Sequence, residues 1–239
     1  MKLNTNKQHR FSRLEKIIST ENLHFLANKC VLVLGCGGVG GYVCEALARS
    51  NIGTIILVDY DIVDETNINR QIIALSSTIG QKKVDVLEKR IHDINPDCEV
   101  VKIDDFIQAD NLNSLFSYPI HFFVDACDTV STKKEVIKQC LNRRIPFISS
   151  MGTGNKFDPA QLEIVDVRKT VNDPLARIIR KFVKDEKICE RVMVLSSREL
   201  PIKIQDRTPG STAFVPSSAG LLIASYIVRY FIDKNKKSF

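Results

Sequence analysis

The sequence predicts an α/β fold: a mostly parallel sheet with helices on both faces, extended by an antiparallel C-terminal part. Three observations carry this. Short apolar runs alternate with helically spaced segments from Cys30 to Met151. The runs are continuous rather than alternating, the mark of strands buried on both faces. The first run ends in a glycine cluster that opens a helix.

The elements follow in order. Residues 1–28 read as a polar arm with one short helix, Ser12 to Ile18. Val31–Leu34 is a buried strand because it is apolar throughout and stops at glycine. Gly41–Ser50 is helical, with Val43, Leu47 and Ala48 on one side. Thr54–Val58 is the second strand. Lys82–Ile94 is a helix, with Val84, Leu87 and Ile91 three and four apart, closed by Asn95-Pro96. Strands at Glu99–Ile103, His121–Asp125 and Pro146–Met151 alternate with helices at Asn111–Phe116 and Lys133–Asn142. Beyond the loop Gly152–Pro159, Leu162–Val167 alternates like an antiparallel strand. Pro174–Lys184 is a basic helix capped by Asp173, and Val192–Leu195 is strand-like. Asp206–Ser218, with two prolines and Gly210, reads as a loop, and Ala219–Ile232 as an apolar helix packed on the sheet. No repeat or linker divides the chain. One domain over 1–239 is expected, with a nucleotide-binding core at 29–155 and a substrate-facing and dimer-related part at 156–239.

Composition is globular, 44% apolar and 26% charged, which excludes a disordered chain, a fibre and a disulfide scaffold. No apolar run reaches 18 residues, and Ala219–Ile232 is too short to span a bilayer, so no membrane span is expected. The N-terminus has no apolar signal region, and a cytoplasmic protein is expected. The seven cysteines form no C-x-x-C pair, so neither disulfides nor zinc are expected; Cys30, Cys36, Cys98, Cys127 and Cys140 read as small core residues. Net charge is +6, and 168–207 holds eleven basic and six acidic residues. Such a surface attracts phosphate polymers or acidic proteins, although a merely solvated face has the same composition.

The chemistry concentrates in the first half. Gly35-Cys36-Gly37-Gly38-Val39-Gly40 sits between strand and helix, where glycine permits a tight turn and close approach to phosphate, and the helix N-terminus offers free N–H groups. Asp59 ends the next strand, where a carboxylate accepts from ribose hydroxyls. This is a Rossmann-like nucleotide site. Asp61, Asn67, Arg70, Gln71 and Lys83 follow. Positive charge at Arg70 and Lys83 suits triphosphate activation better than hydride transfer. Asp128, beyond the strand ending at Asp125, could hold Mg²⁺. A loop-capping Arg70, an exposed Lys83 and a helix-capping Asp128 are the alternatives.

Together, Gly35–Gly40, Asp59/Asp61, Asn67-x-Asn69-Arg70-Gln71, Lys83 and Asp125-x-x-Asp128 resemble the ubiquitin-activating-type (ThiF-like) adenylating enzymes. The resemblance implies ATP and Mg²⁺ as cofactors, activation of a carboxylate, and a homodimer. It assigns Asp59 to the ribose, Asn67, Arg70 and Lys83 to the phosphates, and Asp128 to the metal. It also implies an N-terminal arginine that reaches the partner subunit's ATP, here Arg13, with Arg10 as second candidate. Stretches in the second half, among them Lys169-Thr170-x-x-Asp173-Pro174-Leu175, Ser196-Ser197-Arg198-Glu199 and Gly210-Ser211-Thr212, resemble the tRNA threonylcarbamoyladenosine dehydratases. That branch implies ATP-dependent cyclisation of N6-threonylcarbamoyladenosine beside the anticodon, and a possible sulfur-transfer partner protein. Some members carry a cysteine where Met193 stands here, and Cys189 lies four residues earlier. A sulfur-carrier adenylyltransferase and a non-catalytic nucleotide-binding module are the other readings. Arg177, Arg180, Lys181 and Lys184 fall on one face of the basic helix and are the expected tRNA contacts.

Overall fold

The computed structural model describes residues 8–205 and 208–236. Seven strands form one sheet in the order β3-β2-β1-β4-β5-β7-β6. These are β1 (Cys30–Leu34), β2 (Thr54–Val58), β3 (Glu99–Ile103), β4 (Phe122–Asp125), β5 (Phe147–Ser150), β6 (Leu162–Asp166) and β7 (Met193–Ser197). All neighbours pair in parallel except β6 with β7, the antiparallel extension that alternation in Leu162–Val167 predicts.

Successive residues of each strand feed opposite cores. Val31, Val33, Ile55 and Leu57 pack with α3 (Gly40–Arg49), α4 (Lys83–Ile94) and α7 (Phe214–Lys236). Leu32, Leu34, Ile56 and Val58 pack with α5 (Val130–Arg143) and α6 (Pro174–Asp185). Two-sided burial is why these runs are uniformly apolar. The strand order reverses direction between β1 and β4. The crevice beyond their carboxyl ends is where an open α/β sheet binds ligands.

Several elements depart from the sequence expectation. The N-terminal arm carries two helices, α1 (Ser12–Ile18) and α2 (Thr20–Ala27), separated by Ser19 at φ +78°. Leu23 and Leu26 of α2 are buried, and its buried Asn22 accepts a hydrogen bond from Asn235 of α7. Those partners lie at the far end of the chain, which local periodicity cannot reveal. Asn111–Phe116 is a 3₁₀ turn, Leu112–Ser117. α7 starts at Phe214 inside the expected loop, because Pro216 falls in its first turn, where no intrahelical N–H bond is lost. At 23 residues α7 is long and apolar enough to cross a bilayer, longer than the sequence suggested. In this fold it packs on α2, α3 and β6, burying Ala219, Ile223, Ile227 and Phe231.

Candidate active site

The glycine turn divides into glycines that build the fold and glycines that face the cleft. Gly35 has φ +91°, and a Cβ there would lie 2.8 Å from the Ala126 carbonyl oxygen. Gly40 is tighter: its Cβ would sit 1.8 Å from the Gly35 carbonyl oxygen. Gly40 therefore seats α3 on β1 and does not line the cleft, a correction to its expected place among the nucleotide contacts. A Cβ on Gly37 would meet nothing nearer than Gln71 Nε2 at 3.7 Å, so no described protein atom crowds this position and it stays open to the cleft. Among the described residues the N–H groups of Gly37, Gly38 and Val39 donate to no acceptor, and α3 has no side-chain cap. Free N–H groups at a helix N-terminus attract anions.

This turn forms one wall of a cleft of about 430 Å³. The cleft gathers Gly35, Gly37, Gly38, Asp59, Asp61, Asn67, Arg70, Gln71, Lys83 and Asp128 from five separate segments. Asp59 ends β2, and its carboxylate accepts from Cys36 N–H at 2.6 Å and Asp61 N–H at 2.9 Å. It thereby locks the glycine turn while facing the cavity. Burial pushes the Asp59 carboxyl above its ordinary range, and the Lys83 ammonium and these two N–H groups oppose that.

Lys83 opens α4, is 5% exposed, and pairs with Asp61 Oδ2 at 2.7 Å. It is not the exposed helix lysine of the alternative reading. Arg70 donates to Thr66 O at 2.8 Å and Asn69 Oδ1 at 2.9 Å, which aims its guanidinium without neutralising it. Asn67 closes a capping box with Asp64. Gln71 is buried, and its Oε1 has no partner among the described residues. An orphaned buried polar atom costs stability unless a ligand satisfies it. The unpaired N–H groups, the cationic pair and this orphan together fit a nucleoside triphosphate, and the volume lies in the range of small-molecule sites.

Asp128 is exposed at the cleft, and its one hydrogen bond among the described residues is a long one, 3.5 Å, from Thr129 Oγ1. Thr129 rather than Asp128 holds the N-cap position of α5. The carboxylate therefore stays available to a cation held jointly with phosphate oxygens. Among the described residues no three His, Cys, Asp or Glu side chains cluster as a metal site.

The structure also adds lining residues that sequence reasoning missed. Tyr60 and Phe106 meet edge to face at 4.5 Å on the cleft wall, 53% and 41% exposed. Ile107 and Thr153 follow β3 and β5; the strand-end rule could have found them. Ser211 and Pro216 come from 140 to 146 positions beyond Arg70 and Gln71 along the chain, and Asn69 Nδ2 donates to Ser211 O at 3.0 Å, bringing them in. Cys127 is half-buried, packing against the core on one side and lining the cleft on the other.

Other expected contacts lie elsewhere. Arg10 donates to Ile94 O at the end of α4 and is structural. Arg13 is exposed on α1, outside its own chain's cleft. Arg177, Arg180, Lys181 and Lys184 line one flank groove of about 640 Å³ together with Arg168, Lys187 and Cys189. Two of the cations are already engaged. Arg180 donates to Thr170 O at 2.6 Å, and Arg168 pairs with Asp166 at 2.9 Å.

The match to the ThiF family spans residues 11–238. The tRNA threonylcarbamoyladenosine dehydratase of Bacillus subtilis is 45% identical over 237 residues, 92% of this chain and 93% of the relative. That of Escherichia coli is 38% identical over 179 residues, 75% of this chain and 67% of the relative. The crystal structure of E. coli tRNA N6-threonylcarbamoyladenosine dehydratase, TcdA, in complex with ATP is 32% identical and covers 96% of each chain at a TM-score of 0.90. The chain belongs to the ThiF family, in the branch of the tRNA threonylcarbamoyladenosine dehydratases.

Proposed function

We propose that this chain uses ATP to activate the threonyl carboxylate of N6-threonylcarbamoyladenosine in tRNA and cyclises it. One observation carries the reading: a single cleft brings unpaired N–H groups, Arg70 and Lys83 together with the ribose-type carboxylate Asp59, in the fold of a relative solved with ATP.

The chemistry follows from those parts. A carboxylate oxygen is a poor leaving group. Its attack on the α-phosphorus forms an acyl adenylate and expels pyrophosphate. Arg70, Lys83 and the N-terminus of α3 stabilise the charge that develops on the departing phosphates. The carbamoyl group of the same side chain then attacks the acyl carbon and AMP leaves, so the nucleoside loses one water. An intramolecular nucleophile has a high effective concentration and needs no enzyme thiol. Asp128 would hold Mg²⁺, which would neutralise phosphate oxygens. The test is mass analysis of nucleosides after tRNA bearing the modification is incubated with the protein, ATP and Mg²⁺. A product lighter by one water is expected; an unchanged nucleoside contradicts the reading.

The tRNA contact extends down the flank. α6 is capped by Asp173, whose carboxylate lies 3.5 Å from where a Gly152 Cβ would be, next to cleft residue Thr153. The helix therefore starts at the cleft and carries Arg177, Lys181 and Lys184 away from it over about 10 Å. This suits a phosphate backbone whose loop enters the cleft. Because Arg180 anchors Thr170, the informative reversal is Lys181→Glu with Lys184→Glu. It should weaken tRNA binding and flatten the log–log salt slope by about one unit for each phosphate no longer neutralised, with ATP affinity unchanged. A wild-type slope would remove α6 from the RNA site.

The enzyme works as a homodimer in which Arg13 completes the partner's site. Its exposure on α1, outside its own cleft, supports this. Mixing Arg13→Ala with Asp128→Ala protein should restore activity that neither has alone. Failure despite demonstrated subunit exchange would place Arg13 elsewhere.

A further inference from the structure

Directly beneath the cleft lies an ion pair that the reaction, as described, does not use. Asp125 at the end of β4 and Lys133 in α5 have wholly buried side chains. Lys133 Nζ donates to both Asp125 oxygens at 3.1 Å, to Ser150 O at 2.8 Å and to Ser149 Oγ at 3.4 Å. Ser149 Oγ donates to Asp125 Oδ2 at 2.5 Å. The other carboxylate oxygen reaches into the cleft wall, accepting Cys127 N–H at 3.2 Å and Cys127 S–H at 3.0 Å. Burial and the neighbouring carboxylate push the Cys127 thiol far up, so the proton it donates is retained at neutral pH.

Stability alone does not explain such a pair. Desolvating two charges costs about what their attraction returns, and apolar replacements of similar volume are often neutral or stabilising. What the pair does here is tie two cleft walls to one ammonium. One is the turn 126–129, which carries Asp128. The other is the segment after β5, which Ser150 O begins and which leads to Thr153. The first wall is also pressed against the glycine turn, since Ala126 N donates to Leu34 O at 2.8 Å and Ala126 O fills the place of a Gly35 Cβ. Displacement of Asp125 would therefore move Asp128 relative to Gly35.

We infer that Asp125 and Lys133 are positioning residues for the adenylation step, holding the Asp128 turn and the segment after β5 in the geometry that catalysis needs. This rests on the reading of the cleft as the ATP site. An error on the order of 1 Å at a reacting centre can cost about a hundredfold in rate.

The test compares wild type with the double variant Asp125→Asn, Lys133→Met, which removes both charges at similar volume and leaves no lone buried ion. Melting temperature, kcat, KM for tRNA and the Mg²⁺ concentration giving half-maximal rate are measured together. The expected result is a folded protein with kcat lowered about 10- to 100-fold, an unchanged KM for tRNA and a raised Mg²⁺ requirement. A folded double variant with wild-type kcat and Mg²⁺ dependence overturns the inference and makes the pair a packing feature. Should the double variant not fold, Ser149→Ala decides by the same readouts: lowered kcat with unchanged KM supports the inference and wild-type behaviour overturns it. If wild type itself fails to turn over, the functional reading fails and not this inference.

Discussion

Lys83→Ala is expected to lower kcat/KM for cyclisation by about two orders of magnitude or more, and Arg70→Ala by a similar factor. The reason is placement. Lys83 is buried at the start of α4 with its ammonium on Asp61, so it is held in place before ATP arrives, and its charge acts where water is scarce. Arg70 is fixed by Thr66 and Asn69 and pairs with no carboxylate among the described residues, which leaves its charge for an incoming phosphate. Folding should be little affected. Asp61, the partner that Lys83→Ala orphans, keeps a side chain 45% exposed and is solvated by water. Among the described residues Arg70 bonds only to its own loop. Single-turnover rates and thermal midpoints check both points. Near-normal turnover in either variant would remove that residue from the phosphate site.

Gly40→Ala is expected to damage the fold, whereas Gly37→Ala is expected to damage only ligand binding. At Gly40 the added methyl would lie 1.8 Å from a backbone oxygen and 3.2 Å from Val33 Cγ1. No side chain can step aside, so α3 must lift off β1. Overpacking of this kind costs about 3 kcal/mol or more, a fall of roughly 6–12 °C in Tm for a domain this size. At Gly37 the methyl points toward the cleft and stays 3.7 Å from Gln71 Nε2, so Tm should hold while ATP affinity drops. Calorimetry with and without ATP separates the two. Equal Tm values would mean that Gly40 is not the contact seating α3.

What the sequence disclosed, and what it concealed, follows from the range of the interactions. The strands of the parallel core were legible because burial on both faces leaves uninterrupted apolar runs. The cleft residues Gly35, Asp59, Arg70 and Lys83 were legible because they lie close together along the chain in one ordered motif. Residues placed by distant partners were not. α2 is fixed partly by Asn235, and Ser211 and Pro216 reach the cleft through α7 and the loop before it. Lys133 gave no sign that its ammonium is buried, because Asp125 and Ser149 stand on other elements. The apparent evenness of the basic helix was misleading in the same way: Arg180 is engaged by Thr170, while Arg177, Lys181 and Lys184 remain exposed.

Adenylation of the substrate's own carboxylate in this cleft leaves an isotopic record. tRNA carrying ¹⁸O in the threonyl carboxylate is turned over with ATP and Mg²⁺, and the released nucleotide and phosphates are weighed. One ¹⁸O is expected in AMP for each cyclised nucleoside, and none in pyrophosphate. Label appearing in inorganic phosphate alongside ADP, or cyclisation with unlabelled AMP, would contradict it.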